Sequence, residues 1–577
     1  MNLLLRKTLD RSKPNRRDFM VQTGCAGLGI TSAVNTLAQL QLMGTAAAQN
    51  AGDDYKALVC IFLNGGMDTN NLLIPVAGTA RTHYETGRGI PQYIDPTKGG
   101  VAIPMEDITT AGSQINPLNA ITEYEPSAGY LGADANGNRL AVHPGAMHVK
   151  TMFDAEDLAF ITNVGVLTQP NVTRANFNSL PASQKPPQLF SHSDQQTQWQ
   201  SSIPDRPFKN GWGGRVADIL DGIHNTDPEA LSMMVSINGF NSFQVGTTQQ
   251  PYVMSASGVT SYSASWSGGS PSTAYGSALQ TAFTSKKPFS TEYDPFKFPT
   301  TAGSPYQNTS PGWRLAALEQ LLGMSHASLF DEGYINVAKN ARVTEGLVGG
   351  ALNLTADGSN TTLDTHFVNA FAGSGINGLT NGFAQQMRMV ARLIAGNSVL
   401  NNKRQIFFVQ LGGWDTHTSQ IPVSNGVART DQSYYSLMLQ LSCAMKGFRD
   451  SLQAAGLWNN VTAFTASDFT RTFTPNKTDS TGGSDHGWGG HMMVMGGAVK
   501  GKRIYGTFPN LTVNGGIDVQ GNRGRWIPTS SVDQYAAVLA RWFGVDTSQL
   551  GTVFPNLSRF INPFTPAGKL DFMENSV

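Results

Sequence analysis

Four short apolar runs indicate that the chain is a layered α/β protein. They lie at residues 57–63, 158–164, 405–411 and 461–466. Three are continuous and stop at glycines or at Ser467-Asp468, as central parallel strands do, and the run at 158–164 is weaker. Apolar positions recur at helical spacing over residues 381–400 and 433–455. We therefore predict an α/β fold in which helices flank a mostly parallel central sheet.

The middle of the chain has a different pattern. Residues 255–285 are rich in serine, glycine and tyrosine and carry almost no charge, which predicts a long loop or flap. We expect residues 49–170 and 381–577 to form the two parts of the core. Residues 171–380 would then form a loop-rich insertion with helices that caps or flanks the core.

Residues 1–48 have the order of an export signal. A basic stretch ends in Arg16-Arg17, a weakly apolar run covers residues 24–40, and small residues follow up to Ala48. This plan predicts a twin-arginine signal cleaved near Ala48, with the twin-arginine translocation machinery as a partner. We expect the mature protein to be periplasmic or extracellular.

Charge and composition exclude some classes of partner. The chain has 40 basic and 40 acidic residues, and only 14 % of its residues are charged. Nucleic acid is not expected to bind, because phosphate recognition needs a dense basic face. After the signal no run reaches 18 apolar residues, so we expect no stable membrane span in the mature form. Cys60 and Cys443 lie in apolar runs and are predicted to be free buried thiols, with a single disulfide as the alternative.

Acidic and histidine residues concentrate just beyond the predicted strands. They are Asp68, Asp415, His417, Asp468, Asp485, His486 and His491. The carboxyl ends of parallel strands meet at one edge of a sheet, so we expect these groups to share one crevice. Each alone has a simpler explanation: Asp68 as a turn or cap residue, and the 485–491 segment as support for a glycine-rich loop.

Such a crevice predicts a metal centre. Clustered carboxylates repel one another, and divalent cations neutralise them while neutral imidazoles serve as ligands. A mixed carboxylate and imidazole set suits zinc, manganese or iron. The residues suffice for two ions, which together could polarise a phosphoryl or sulfuryl oxygen and activate the nucleophile.

Several longer motifs resemble the DUF1501 family of secreted proteins with a twin-arginine signal. The motifs are residues 62–68, 411–417, 467–472, 485–491, 496–501, 505–509 and 526–531, with His143-Pro144 and Ser191-His192. That family is grouped with the alkaline-phosphatase-like superfamily, which includes sulfatases and phosphodiesterases. The resemblance therefore implies an alkaline-phosphatase-like fold and a two-metal hydrolase or transferase.

One position departs from the superfamily pattern. Asp468 resembles the acid of an Asp-His-Gly motif, but Phe469 stands where a ligand histidine is usual. His486 or His491 could supply the missing imidazole, or one metal site could be lost.

The resemblance leaves the catalytic residues open. Ser191 and Ser193 lie at a predicted helix start and are candidate nucleophiles, and Ser191 or His192 could act as nucleophile or in proton transfer. The alternative is that Ser193 is only an N-cap and His192 a packed loop residue. Arg471 could neutralise an anionic substrate or pair with Asp468. Trp414 and Trp488 could form an aromatic wall for a saccharide-type substrate, or simply be buried.

We therefore expect an exported metal-dependent hydrolase that acts on a phosphate or sulfate ester. The alternative is a non-catalytic secreted protein for binding or surface attachment that retains a degenerate metal site.

Overall fold

A computed structural model gives the fold and describes residues 55–109, 130–258 and 360–574, with scattered positions between 300 and 352. Within these ranges it omits positions 135, 147, 227–229, 425, 429–431, 480, 520 and 522. The expected signal at residues 1–48 and most of the serine-rich stretch at 255–285 lie outside the described residues.

Fourteen strands are described. They are β1 (Lys56–Leu63), β2 (Leu73–Pro75), β3 (Tyr130–Ala133), β4 (Arg139–Val142), β5 (Leu158–Gly165), β6 (Met234–Ser236), β7 (Tyr252–Val253), β8 (Arg404–Leu411), β9 (Val423–Ser424), β10 (Val427–Ala428), β11 (Val461–Ser467), β12 (Gly490–Gly496), β13 (Ile504–Gly506) and β14 (Ser530–Ser531).

The described α-helices number eleven. They are α1 (Gly78–Arg88), α2 (Met105–Thr109), α3 (Val149–Asp154), α4 (His192–Ser201), α5 (Trp212–His224), α6 (Asn360–Ala370), α7 (Gly382–Ala395), α8 (Asn397–Leu400), α9 (Ser433–Ala454), α10 (Val532–Phe543) and α11 (Leu550–Val553).

Nine strands form the central sheet in the order β13-β5-β12-β11-β1-β8-β6-β7, with β14 also paired to β5. Strand β12 is antiparallel to both its neighbours, and every other pairing in this sheet is parallel. Leu63 at the end of β1 pairs with Ser467 on one side and Leu411 on the other. The three loops that follow these strands therefore start at one level, at the carboxyl edge.

Strand β1 shows why the sheet is covered on both faces. Its alternate residues Ala57, Val59, Ile61 and Leu63 pack in the cluster that contains α7 and α9 side chains. Leu58, Cys60 and Phe62 point to the opposite face, where α5 and α10 pack. A strand buried on both faces must be apolar at every position, and this accounts for the continuous run in the sequence.

The predicted α/β fold with a mostly parallel sheet and flanking helices is thus confirmed. All four apolar runs are strands of the central sheet, and the helical patterns at 381–400 and 433–455 form α7 with α8 and α9. Strands β6 and β7, from the range expected to form an insertion, extend the central sheet. Cys60 and Cys443 are buried thiols that form no disulfide among the described residues, as expected. In the described ranges, no helix has both the length and the apolar character that a membrane crossing needs.

Candidate metal centre

The loops after β1 and β8 meet at the carboxyl edge because Gly65 lacks a side chain. Its φ of 113° lies in the left-handed region, and a Cβ there would come within 2.7 Å of the Asp415 backbone nitrogen. Glycine is therefore required both for the turn and for the close approach of the two backbones. This contact places Asp415 directly above β1.

Backbone hydrogen bonds tie two further loops to this position. The Ser484 amide donates to the Thr416 carbonyl (3.0 Å), and the Gly487 amide donates to the Thr470 carbonyl (2.8 Å). The loop that carries Asp485 and His486 is thus fixed between the loops that follow β8 and β11.

Three side chains form a compact set of metal-ligand atoms. One ligand atom from each of His192, Asp415 and His486 lies within 4.8 Å of the other two. Asp415 Oδ1 is 3.4 Å from His192 Nε2 and 3.7 Å from His486 Nε2. His192 Nε2 is shielded from solvent and makes no hydrogen bond among the described residues. A buried nitrogen of this kind, facing a carboxylate and a second imidazole, fits a metal ligand.

His417 lies against the same set. Its Nε2 is 2.8 Å from His486 Nε2 and 3.1 Å from Asp415 Oδ1. Its side chain is 40 % exposed, so this histidine faces solvent on one side and the compact set on the other.

The second nitrogen of each imidazole has an acceptor. His192 Nδ1 bonds to Asp468 Oδ2 (2.6 Å), His417 Nδ1 to Asp485 Oδ1 (3.1 Å), and His486 Nδ1 to the Phe190 carbonyl (2.6 Å). Carboxylate and carbonyl oxygens can only accept, so neutral rings would carry their proton on Nδ1. Their Nε2 lone pairs then point at one another, as in protein metal sites where outer partners orient histidine ligands.

Phe190 reaches His486 through a rare backbone conformation. Its φ is 72°, a left-handed value that bulky residues seldom adopt. The Arg525 guanidinium lies over the Phe190 ring, 4.3 Å from its centroid, and Arg525 Nε donates to the His486 carbonyl (2.8 Å). Phe190, Arg525 and His486 therefore all contact one another, and the Phe190 carbonyl accepts the hydrogen bond from His486 Nδ1.

Arg471 supports Asp415 from below. Its buried guanidinium donates to Asp415 Oδ1 (2.6 Å) and to the Gly65 carbonyl (3.2 Å). Although desolvation acts in the opposite direction, the hydrogen bond and charge of Arg471 lower the pKa of Asp415. Asp415 is therefore an ionised carboxylate at neutral pH.

The pKa values of the three histidines are shifted in different directions. The hydrogen bond that His192 Nδ1 donates to Asp468 raises the pKa of His192 above its ordinary value. Desolvation, together with nearby positive charge, lowers the pKa of His417 and that of His486. His417 and His486 are therefore neutral at pH 7 and suited to bind a cation.

Two predicted ligands lie apart from this cluster. Asp68 is buried and forms an ion pair with Arg88, and Gln420 Nε2 donates to the same carboxylate oxygen at 2.5 Å. His491 is also buried: its Nδ1 accepts a hydrogen bond from the Asn163 amide (3.2 Å), and its ring stacks on Phe508.

The other predicted site residues have supporting positions. Asp468 and Asp485 contact histidine Nδ1 atoms, while Ser191 Oγ donates to Asp194 Oδ2 at 2.6 Å. Trp414 and Trp488 are buried, which is the simpler of the two explanations for them. Phe469 is the residue that departs from the superfamily pattern. Its ring centroid lies 4.8 Å from the ring centroid of His192 and 4.8 Å from that of His486, so it packs against both histidines.

Comparison with known families supports the resemblance seen in the sequence. Residues 359–519 match the family described as "Protein of unknown function (DUF1501)". The match thus supports the DUF1501 family. Searches of the curated proteins and of the solved structures each return no significant match. The matched segment of the chain includes Asp415, His417 and His486, whereas His192 lies outside it.

Proposed function

We propose that this protein is an exported hydrolase in which one divalent metal ion, held by His192, Asp415 and His486, cleaves a phosphate or sulfate ester. The observation that carries the proposal is the convergence of these three ligand atoms within 4.8 Å. The sequence suggested two ions. We propose one, because Asp68 and His491 are engaged elsewhere and Asp468 and Asp485 support histidines.

The donor set limits the metal. Two imidazoles and a carboxylate bind zinc in hydrolytic sites, and three protein ligands leave a position for water. The same set suits mononuclear ferrous iron, so metal identity is part of the test. Asp415 is 46 % exposed, and solvent can therefore reach its carboxylate.

The bound ion would lower the pKa of a water molecule and polarise the ester oxygen. His417 lies 3.1 Å from Asp415 Oδ1, is neutral at pH 7 and is partly exposed. We propose that it accepts the proton of the attacking water at Nε2 and releases it to solvent or to the leaving group. Arg471 would hold Asp415, and Asp468 would hold His192, so that neither ligand reorients.

Water is the nucleophile in this proposal, because the contacts of Ser191 lead away from the cluster. Its hydroxyl is bonded to Asp194 at the start of α4, and among the described residues no hydrogen bond links it to Asp415 or His486. A serine nucleophile would need its hydroxyl directed at the ester.

The export signal and the sheet add two further parts to the proposal. We infer that the twin-arginine signal directs the folded, metal-loaded protein through the translocation machinery to the periplasm or beyond. The mostly parallel sheet, with its site at the carboxyl edge, is consistent with the relation to alkaline-phosphatase-like enzymes that the sequence suggested.

The test is metal-dependent ester hydrolysis by the exported form. Aryl phosphate, bis-aryl phosphate and aryl sulfate esters would be assayed with the purified protein, after chelation, and after zinc, manganese or ferrous iron is restored. We expect turnover of at least one ester that is lost on chelation and in His486→Ala, but retained in His83→Ala, whose histidine lies outside the cluster. A protein that holds metal but cleaves none of these esters would favour the binding alternative.

A further inference from the structure

Arg525 is a positively charged side chain beside the proposed metal centre. In the part of the chain that the structure describes, no carboxylate forms an ion pair with Arg525. The neighbouring Arg523, in contrast, pairs with Asp485, and Arg471 pairs with Asp415. Arg525 is partly buried, and desolvation together with the charge of Arg523 lowers its pKa. A guanidinium in this setting lacks the counter-charge that partial burial calls for.

The guanidinium is also held in place. Its Nε donates to the His486 carbonyl, and its central carbon lies over the Phe190 ring, 4.3 Å from the ring centroid. The two terminal nitrogens have no hydrogen-bond partner among the described residues. A fixed guanidinium with unused terminal donors matches the planar oxygens of a phosphate, sulfate or carboxylate group.

We propose that Arg525 binds the anionic group of the substrate next to the metal ion, and that it selects charged over neutral esters. This inference rests on the proposed function for its location and extends it to the recognition of charge. The ester oxygens that do not contact the metal would accept hydrogen bonds from the terminal nitrogens of Arg525. Since Arg525 Nε donates to the backbone carbonyl of His486, whose imidazole is a proposed ligand of the ion, the anion would bind near the metal ion.

A purely structural role for Arg525 is the competing explanation. The stack on Phe190 and the bond to the His486 carbonyl could serve only to fix His486. In that case replacing Arg525 would release the metal, whereas an anion-binding Arg525 can be replaced with the metal retained.

The experiment measures the binding of inorganic phosphate and, separately, inorganic sulfate by calorimetry to the full mature protein, with and without metal. The variants are Arg525→Gln and Arg525→Lys, with Arg206→Gln as a matched exposed control. We expect Arg525→Gln to weaken anion binding about tenfold to a hundredfold at unchanged metal content, because hydrogen bonds to charged groups are lost. Arg525→Lys should fall between wild type and Arg525→Gln, because it keeps the charge but loses the planar fork.

Unchanged anion affinity in Arg525→Gln would overturn the proposal, and so would loss of metal from that variant. If wild type binds no metal but binds phosphate through Arg525, the anion site stands while the proposed hydrolase fails. Thermal unfolding of each variant identifies any that does not fold, and Arg525→Lys then decides the question.

Discussion

The Nε2 atoms of His417 and His486 lie 2.8 Å apart, although the other nitrogen of each ring already has a hydrogen-bond acceptor. With protons on Nδ1, two lone pairs would face each other at this distance, which is unfavourable. A shared proton would require one imidazolium, but the pKa of each ring is lowered. A cation bound at His486 Nε2 reduces this repulsion and leaves His417 Nε2 able to accept a proton, and Asp415 Oδ1 lies within reach of both nitrogens.

Asp68 offers a test of which acids bind metal. Its carboxylate is buried against Arg88, so Asp68→Ala leaves an unpaired buried cation and should cost about 3–5 kcal/mol of unfolding free energy. The metal content of the folded fraction should stay at the wild-type level. Urea unfolding and metal analysis of the same samples measure the two effects, and loss of metal from folded Asp68→Ala would restore Asp68 as a ligand.

Asp468 should act by positioning His192. Asp468→Asn replaces the charged acceptor of the His192 Nδ1 hydrogen bond with a neutral amide oxygen. Metal affinity should therefore fall by about 10- to 100-fold. The control is Asp194→Asn. Asp194 lies on α4, as His192 does, but it accepts a hydrogen bond from Ser191 rather than from a histidine. Competition with a fluorescent chelator gives both affinities. Equal affinities in the two variants would show that Asp468 has no such role.

Two buried histidines should make the protein sensitive to acid. Burial lowers the pKa of His143 and that of His491 to about 3. The ordinary pKa of histidine is near 6.5, so below this pH the two histidines are protonated in the unfolded chain but remain neutral in the native state. Falling pH therefore favours unfolding. Each residue should cost about 2 kcal/mol at pH 5 relative to neutral pH, and the loss continues until about pH 3.

Urea unfolding at pH 7.5 and pH 5 measures this loss. His491→Gln removes one titrating group and should reduce the pH dependence by about half of the two-histidine effect. An identical pH dependence in wild type and His491→Gln would show that His491 is already protonated or does not resist protonation in the native state.

The sequence predicts the sheet well because its strands are apolar on both faces. The run at 57–63 identifies β1 in this way, and the glycines after it mark the carboxyl edge. Strand β12 was not predicted, because the glycine-rich loop was expected to extend to His491. The strand becomes apparent only when it inserts antiparallel between β5 and β11.

The site was only partly predictable, because sequence spacing cannot rank acids by their partners. Asp68 and Asp415 both follow strands, yet Arg88, twenty residues later on α1, pairs with the first. His192 was expected to act in catalysis rather than to join Asp415 and His486, which are more than 200 positions away. The Phe190 carbonyl accepts a hydrogen bond from His486 because Phe190 has a φ of 72°, and the residue types around Phe190 do not predict this angle.

The most direct test of the metal centre is the metal content of the mature protein purified after export by its own signal. Elemental mass spectrometry would compare wild type, Asp415→Asn, His486→Ala and the control His83→Ala. We expect about one equivalent of zinc, manganese or iron in wild type and His83→Ala, and almost none in the two cluster variants, because each removes one of three ligands. A wild-type protein without bound metal, or cluster variants that retain the full equivalent, would contradict the proposed centre.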